Sequence, residues 1–311
     1  MVFDVPGYRI GHHTDSENLT GCTVVLCPPK TVGGCDIRGS SPATRETALL
    51  GSEKSMQEVH AVLLTGGSAF GLAAADGVMK YLEEQNVGYQ TPWIKVPIVP
   101  AAAIFDLNIG DKRVRPAATD GYEACTHATG QTDVQGNVGA GTGATVGKWA
   151  GSETRMKGGL GLATLTQGEL KVGCVAVVNS VGDIIDSEGK ILAGARSADG
   201  KFLGAKDSLR TFTKSRNISQ ANTTLVLIAT NVAFTKVQVN RLAQRAHDGM
   251  ARAIVPAHTS YDGDLAFALS SGSLEANFDL VAEMGAQAAA EAIRNAVKHA
   301  KSAGGVIGLA G

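Results

Sequence analysis

The stretch at residues 222–231, NTTLVLIATN, joins a polar segment to a run of apolar and β-branched residues. Its apolar residues follow one another without alternation, which is the pattern of a strand covered on both faces of its sheet. The polar segment before it, residues 206–221, has the composition of a loop or a flexible linker. Such a boundary marks either a break between domains or an exposed loop that becomes a new chain terminus. The chemistry of Thr223, described below, favours the second.

The rest of the chain alternates strand-like and helix-like segments. Runs of β-branched and apolar residues predict strands at 22–27, 59–65, 159–166, 171–179 and 265–270, as well as at 223–231. Helical spacing of apolar residues predicts three helices, which run from the N-cap Ser68 to Asn86, from near Thr235, and over about 279–300. The 39 glycines indicate tight turns and close backbone packing. Together these features predict a layered α/β fold.

Composition and charge exclude several classes of function. The 28 basic and 29 acidic residues give a formal net charge of -1, and no run of Lys and Arg offers a basic face to nucleic acid or to an anionic membrane. No apolar run approaches the length of a membrane span, and the N-terminus has no signal-peptide pattern. The five scattered cysteines contain no Cys-x-x-Cys pair, as is typical of small buried residues in a reduced compartment. We therefore expect a soluble, cytoplasmic protein.

Thr223 has the chemistry of a nucleophile that the chain can generate itself. A threonine hydroxyl hardly ionises at neutral pH, but a threonine at a chain N-terminus carries its own base in its α-amine. Before cleavage, the Thr223 Oγ can attack the carbonyl of Asn222, and water can then hydrolyse the resulting ester. A threonine between a polar loop and an apolar strand is well placed for this reaction. Taken alone, however, these two residues are also an ordinary turn and strand start.

An acidic turn, SYDGD at residues 260–264, places two carboxylates on either side of a glycine. If Gly263 bends the backbone, Asp262 and Asp264 converge, so that one carboxylate holds the ammonium of Thr223 and the other shares a proton and shifts in pKa. A solvated turn is the plainer interpretation of these residues alone. A calcium loop is disfavoured because further oxygen ligands are missing. The seven histidines have no zinc-site spacing and are uninformative about function.

A glycine-rich segment at residues 136–148, GNVGAGTGATVGK, resembles a phosphate-binding loop but fails its spacing. Thr142 stands where that motif has a glycine, and Lys148 is followed by Trp149 rather than by Ser or Thr. This failure argues against a nucleotide-binding protein, which is the non-enzymatic alternative. The segment instead predicts close packing around a site, with Lys148 either delivered into it or left on the surface. Asn179 ends a predicted strand; its amide can stabilise an oxyanion, although Asn before a turn is commonplace.

The order of these segments along the chain is more specific than any one of them. It resembles the self-processing L-aminopeptidase/D-esterase and β-aminopeptidase family, including its nylon-oligomer (6-aminohexanoate oligomer) hydrolase branch. The segments that carry this resemblance are, in order, GCTVVLCPP, GGCDIRGSSPATRE, LLTGGSAFGLAAADGV, PAAAIFDLNIGD, GNVGAGTGATVGK, VAVVNSVGDIID, NTTLVLIATN and HTSYDGDLAFALS.

The resemblance implies a role for each candidate residue. Thr223 matches the nucleophile created by self-cleavage, and a threonine at this position is similar to the nylon-oligomer branch. Asp262 and Asp264 match the acidic pair of that branch, where β-aminopeptidases have Ser and Glu. Lys148 and Asn179 match its supporting lysine and its oxyanion-hole asparagine.

One position departs from the β-aminopeptidases. Where those enzymes carry a Glu that holds the free amine of the substrate, this chain has Ala103. The departure puts strict aminopeptidase specificity in doubt and leaves room for other amides, including linear ω-amino-acid oligomers.

The resemblance also implies the architecture and the reaction. We expect a four-layer α-β-β-α sandwich, similar to N-terminal-nucleophile hydrolases but differently connected, as one domain over residues 1–311. Self-cleavage after Asn222 would give an α fragment, 1–222, and a β fragment, 223–311, with four such pairs in the assembly. The implied enzyme uses no cofactor or metal and hydrolyses amide bonds in short peptides or linear oligomers through an acyl-enzyme. The enzymatic alternative is a related self-cleaving fold that transfers acetyl groups to ornithine.

Overall fold

Two five-stranded sheets form the centre of the molecule, whose computed structural model describes residues 2–204 and 222–311. In order of pairing, the first sheet contains β1 (Arg9–Asp15), β2 (Thr20–Leu26), β5 (Ala61–Thr65), β8 (Ala101–Ala103) and β4 (Ala43–Arg45). The second sheet contains β11 (Gly159–Gln167), β12 (Leu170–Asn179), β15 (Thr223–Val232), β17 (Leu265–Leu274) and β3 (Val32–Ile37).

Shorter strands and the helices complete the described chain. Small sheets pair β6 (Tyr89–Gln90) with β7 (Lys95–Val96), β9 (Thr145–Val146) with β10 (Met156–Lys157), and β13 (Asp183–Ile185) with β14 (Ile191–Ala193) and β16 (Ile254–Val255). The helices are α1 (Ser68–Gly71), α2 (Ala74–Glu84), α3 (Ala118–Thr126), α4 (Lys236–Ala253) and α5 (Phe278–Lys298).

Three apolar clusters separate the layers of the fold. The central cluster lies between the sheets and includes Val25, Leu64, Val175, Leu227 and Phe267. The alternate residues of the same strands face outward. On the first sheet they pack against α2 and α3, through residues such as Val24, Leu63, Val78 and Ala124. On the second sheet they pack against α4 and α5, through residues such as Cys174, Ile228, Leu242 and Ile293. The chain is therefore a four-layer α-β-β-α sandwich, as the resemblance implied.

The strand β15 lies in the middle of the second sheet, antiparallel to β12 and parallel to β17. Its residues from Thr223 to Thr230 are all buried, which explains why the run lacks alternation. The register places Thr223 opposite Asn179, and Asn222 forms a further bridge with Asp262. The pairing therefore brings the end of β12, the start of β15 and the acidic turn to one edge of the sheet.

The predicted strands are all present, with bounds that differ by a few residues at their ends, as is usual for such bounds. The sequence interpretation did not include β1, β3, β8 or α3. The strand β8 consists of three alanines, which have little preference for strands, and α3 contains Gly121. The polar segment 206–221 lies outside the described residues. Within the two described ranges, no helix combines the length and the apolar character needed to cross a bilayer.

The second and third predicted helices are confirmed as α4, with Thr235 as its N-cap, and α5. The first is wrong at its N-terminus. Ser68 is not an N-cap, because it has a left-handed φ of 54° in a turn whose N–H groups bind elsewhere. Gly67 N–H donates to Asp106 Oδ1 over 2.7 Å, and Ser68 N–H donates to the carbonyl of Ile104 over 2.9 Å. These contacts hold a single turn, α1, and the main helix begins only at Ala74.

Gly161 in β11 allows α5 to lie directly on the sheet. A Cβ atom at this position would lie 1.9 Å from the carbonyl oxygen of Ala292 and 2.4 Å from the nitrogen of Ala296. We therefore expect Gly161→Ala to lower the free energy of unfolding by about 1–3 kcal/mol, which is the usual cost of overpacking. Gly130→Ala is the matched control, since a Cβ there meets only Tyr8 O at 3.8 Å. Urea unfolding measures both, and equal curves would contradict this account of the packing.

Candidate active site

Thr223 lies at the N-terminal end of β15 and is only 4% exposed. Its Oγ donates a hydrogen bond to the carbonyl oxygen of Asn222 over 2.6 Å. The same oxygen accepts the N–H of Gly263 over 2.7 Å. The carbonyl before Thr223 is therefore polarised by two donors, and one of them is the hydroxyl that would attack it.

The acidic turn is buried rather than solvated, since Asp262 and Asp264 are each 1% exposed. Its backbone is held by the loop after β3: Gly39 N–H donates to the carbonyl of Asp264, and Ser41 N–H donates to that of Asp262. A Cβ atom on Gly263 would lie 2.8 Å from Thr223 Oγ. The glycine therefore permits the close approach of the turn to Thr223.

Asp262 has a full set of donors around its carboxylate. Its Oδ1 accepts the N–H of Val181 over 3.1 Å, and its Oδ2 accepts the N–H and the hydroxyl of Thr259. Burial, with a smaller contribution from the neighbouring Asp264, raises the pKa of Asp262 to about 6, and the hydrogen bonds from Thr259 and Val181 oppose this rise.

Asp264 is hydrogen-bonded to Thr224, the residue that follows Thr223. Its Oδ1 accepts the N–H of Thr224 over 2.6 Å. Its Oδ2 accepts the N–H of His258 over 3.2 Å and lies 2.9 Å from Nδ1 of the same histidine. One of the histidines, a residue type that was uninformative in the sequence, therefore contacts this carboxylate. The signal in the sequence was the position of His258, four residues before Asp262.

Asn179 lies directly opposite Thr223 in the sheet. Its Oδ1 accepts the N–H of Thr145 over 3.0 Å and the ammonium of Lys148 over 2.9 Å. Because both partners are donors, the network fixes which amide atom is oxygen. The amide nitrogen donates to the carbonyl of Phe105 over 3.0 Å. An amide nitrogen carries two hydrogens, so one is left for a second acceptor.

Lys148 is buried, with 5% exposure, and is not a surface lysine. Its Nζ donates to the main-chain oxygen of Asn179 over 3.0 Å as well as to the side-chain oxygen. Burial lowers the pKa of Lys148 to about 7, and the carboxylates of Asp262 and Asp264 oppose this fall. The glycine-rich segment packs closely before it reaches Lys148, since a Cβ on Gly141 would lie 2.2 Å from Leu160 N.

The structure brings the five predicted residues into one buried network. Lys148 binds Asn179, Asn179 faces Thr223, and the acidic turn contacts the residues on either side of Thr223. Sequence reasoning missed the N–H of Gly263, the carbonyl of Phe105, and the side chains of Thr259 and His258. The first two are main-chain groups, which any residue carries, so only the backbone course could reveal them.

The oxygens of the acidic turn are bound by N–H and O–H donors, rather than arranged around a cation. Among the described residues, one cluster has ligand atoms close enough to share a metal ion: His13, Asp120 and Glu123, on β1 and α3. His13 Nδ1 lies 3.0 Å from Glu123 Oε2 and its Nε2 lies 3.6 Å from Asp120 Oδ1, so the three side chains already contact one another. The cluster belongs to the first sheet, outside the Thr223 network.

The fold is similar to the folds of two solved aminopeptidases. The L-aminopeptidase D-Ala-esterase/amidase of Ochrobactrum anthropi, a variant of the N-terminal-nucleophile hydrolase fold, superposes with a TM-score of 0.73, covering 97% of this chain and 86% of that one at 19% identity. A β-aminopeptidase of a Burkholderia species superposes with a TM-score of 0.71, covering 98% and 89% at 21% identity. At these identities the likeness shows the fold alone.

The chain belongs to peptidase family S58, whose sequence profile matches residues 1–310. It is 40% identical to an uncharacterized aminopeptidase of Mycobacterium leprae, over 98% of this chain and 92% of that protein. It is 32% identical to a 6-aminohexanoate-oligomer endohydrolase of a Kocuria species, over 88% of this chain and 76% of that enzyme. The predicted family is confirmed, and the protein is a hydrolase of amide bonds.

Proposed function

We propose that this protein cleaves itself between Asn222 and Thr223 and then uses Thr223 as the N-terminal nucleophile of an amide hydrolase. The observation that carries the proposal is the 2.6 Å contact of Thr223 Oγ with the carbonyl oxygen of Asn222. That oxygen also accepts the N–H of Gly263, a donor aimed at the position where negative charge would develop.

In the self-cleavage step, Thr223 Oγ bonds to the carbonyl carbon of Asn222. The hydroxyl proton passes to the amide nitrogen of Thr223 as the C–N bond breaks, which leaves an ester. Breaking the C–N bond frees the α-amine of Thr223; water then hydrolyses the ester, which releases the carboxylate of Asn222 and restores the hydroxyl of Thr223. Gly263 N–H stabilises the charged oxygen, and Asp264 holds the N–H of Thr224 in place.

Thr223 and the groups around it also serve amide hydrolysis. Thr223 Oγ attacks the substrate carbonyl, while the new α-amine takes the hydroxyl proton and returns it to the leaving amine. The resulting acyl-enzyme is hydrolysed by water. Asn179 offers its second amide hydrogen to the oxyanion, and Lys148 orients that amide through Oδ1. Asp262 holds the acidic turn against Val181 N–H.

Ala103 supports a substrate range that does not require a free amine. At the position where β-aminopeptidases carry a glutamate, Ala103 lies within β8 and is 2% exposed. The nearby carboxylate of Asp106 already accepts the hydroxyl of Thr20 and the N–H of Gly67. We therefore infer that linear amide oligomers and N-capped peptides are accepted, a range that the 6-aminohexanoate-oligomer endohydrolases among the relatives fit.

A substrate panel tests this proposal. Purified enzyme is assayed on α-peptides, β-peptides, amino-acid esters and 6-aminohexanoate oligomers, each with a free and with an acetylated N-terminus. We expect hydrolysis of amides in which acetylation changes kcat/KM by less than about tenfold, because breaking a required charge pair costs roughly 30-fold or more. If the enzyme hydrolysed none of the acetylated substrates in the panel, this result would contradict the argument from Ala103.

Acyl transfer to an amine is the alternative reaction, and the same panel distinguishes it. With ornithine added, an unchanged rate and free acid products indicate that water is the acceptor. A faster reaction with an acylated amine product indicates a transferase. We also propose one domain over residues 1–311 and an assembly of four αβ pairs, which light scattering on a size-exclusion column measures directly.

A further inference from the structure

A chain of side chains links Asp264 to the far edge strand of the second sheet. His258 Nδ1 lies 2.9 Å from Asp264 Oδ2, and His258 Nε2 lies 3.3 Å from His247 Nδ1. His247 Nε2 lies 3.1 Å from the main-chain oxygen of Asp36 and 3.2 Å from its Oδ1. Since His247 belongs to α4 and Asp36 to β3, three parts of the chain meet at this row of polar groups.

The acceptors of Asp36 determine where the protons lie. A carbonyl oxygen and a carboxylate oxygen only accept, so His247 carries a proton on Nε2. Burial lowers the pKa of His247 to about 4, so its ring is neutral at pH 7 and its Nδ1 is an acceptor. His258 therefore donates from Nε2. Its Nδ1 then faces Asp264 Oδ2, and one proton must lie between these two atoms, because two acceptors would repel each other.

The remaining contacts of Asp264 favour its charged form. Its two oxygens accept the N–H groups of Thr224 and His258, and donors of this kind stabilise a carboxylate. The shared proton therefore belongs to His258, which makes this ring an imidazolium paired with Asp264. The side chain of His258 is about one-fifth exposed, so water can reach the pair.

We propose that His258 is a positioning residue that holds Asp264 as a carboxylate beside Thr224 N–H, and that His247 and Asp36 keep its ring in the required orientation. The inference rests on the proposed function of Thr223. It extends that function by assigning the charged form to Asp264 and a role to two histidines.

The charged groups that face His258 come from several elements. Asp264 and Asp262 belong to the acidic turn, Lys148 interacts electrostatically with both carboxylates, and Asp36 and Arg38 lie beyond His247. Arg38 Nε donates to Asp36 Oδ1 over 2.9 Å, so that oxygen acts as a hydrogen-bond acceptor.

The backbone of His258 offers a matched replacement. Its φ of 54° lies in the left-handed region, where asparagine is well tolerated. The amide nitrogen of His258→Asn takes the place of Nδ1 and donates to Asp264, but it does not titrate. His258→Ala removes the donor altogether. Asp248→Asn is the control. Asp248 lies on α4 next to His247, and it pairs with Arg245 on a half-exposed face of that helix.

Protonation is measured without turnover by ¹⁵N NMR of the full-length protein labelled at histidine. We expect His247 as the neutral Nε2–H tautomer and His258 as a doubly protonated ring at pH 7, with signals assigned by their loss in His247→Gln and His258→Asn. A neutral His258 ring at pH 7 would overturn the proposal.

The pH dependence of kcat/KM gives the second readout. Because an imidazole can titrate and an asparagine amide cannot, the profile of kcat/KM against pH should differ in shape between wild type and His258→Asn. His258→Ala should lose about tenfold or more in kcat, as expected when a hydrogen bond to a charged group is removed, and His258→Asn should recover most of it. Profiles of one shape in wild type, both His258 variants and Asp248→Asn would overturn the inference. Failure of the proposed function would instead appear as activity that survives Thr223→Ala.

Discussion

Replacing Thr223 by alanine should leave the chain uncut and inactive. The substitution removes the Oγ that lies 2.6 Å from the carbonyl oxygen of Asn222, so the peptide bond loses its attacking group. It also removes the nucleophile for substrate. Denaturing mass spectrometry should resolve wild type into fragments 1–222 and 223–311 and Thr223→Ala as one chain of 311 residues. The amidase rate should fall roughly 10⁴- to 10⁶-fold, as when a nucleophile is deleted from other acyl-transfer enzymes.

Two variants control for the loss of the side chain itself. Thr223→Ser keeps a hydroxyl and should still be cut at the same bond and retain activity. Thr224→Val changes the next buried residue, whose hydroxyl has no hydrogen-bond partner among the described residues, and should behave as wild type. Wild-type protein that is active as a single chain, or that is cut at any other bond, would be incompatible with the proposed nucleophile.

Replacing Lys148 by methionine should have the second-largest effect. Lys148 Nζ is one of two donors to Asn179 Oδ1, and it binds the main-chain oxygen of Asn179 as well. Without it, the amide is free to rotate, and its second hydrogen no longer faces a developing oxyanion. We expect kcat to fall by about 10²- to 10³-fold, the usual cost of an oxyanion donor, with a smaller change in KM. Slower self-cleavage should accompany this loss. Mass spectra of freshly expressed protein, taken at successive times, measure the rate of cleavage.

Lys236→Met is the matched control for Lys148→Met. Lys236 is also a buried lysine, and its Nζ donates to the carbonyls of Leu49 and Lys54. Burial lowers the pKa of Lys236 too, but its contacts lie outside the Thr223 network. Lys236→Met should therefore lower the urea midpoint without changing kcat per cleaved enzyme. Equal kcat losses in the two variants would show that Lys148 acts through stability rather than through Asn179.

The sequence predicted the parts of the fold that depend on local pattern. The unbroken apolar run after Thr223 requires burial on both faces, and the structure places it in the middle of a sheet between two layers of helices. The apolar spacing in α4 and α5 likewise predicted two of the helices that cover that sheet. The predicted N-cap at Ser68 was wrong, because the turn there is held by Asp106 and the carbonyl of Ile104, which are distant in the sequence.

What the sequence determined by itself is therefore the strand β15 and the chemical types available at its start: a hydroxyl, two carboxylates, an amide and an amine. The tertiary structure decided how these groups meet. The register of β12 on β15 sets Asn179 against Thr223, and the approach of Gly263 adds a main-chain donor that no side-chain pattern encodes. Burial then changes the chemistry, since it raises the pKa of Asp262 and lowers that of Lys148. Strand pairing and burial both depend on residues that are far apart in the chain, so neither can be predicted from the local sequence.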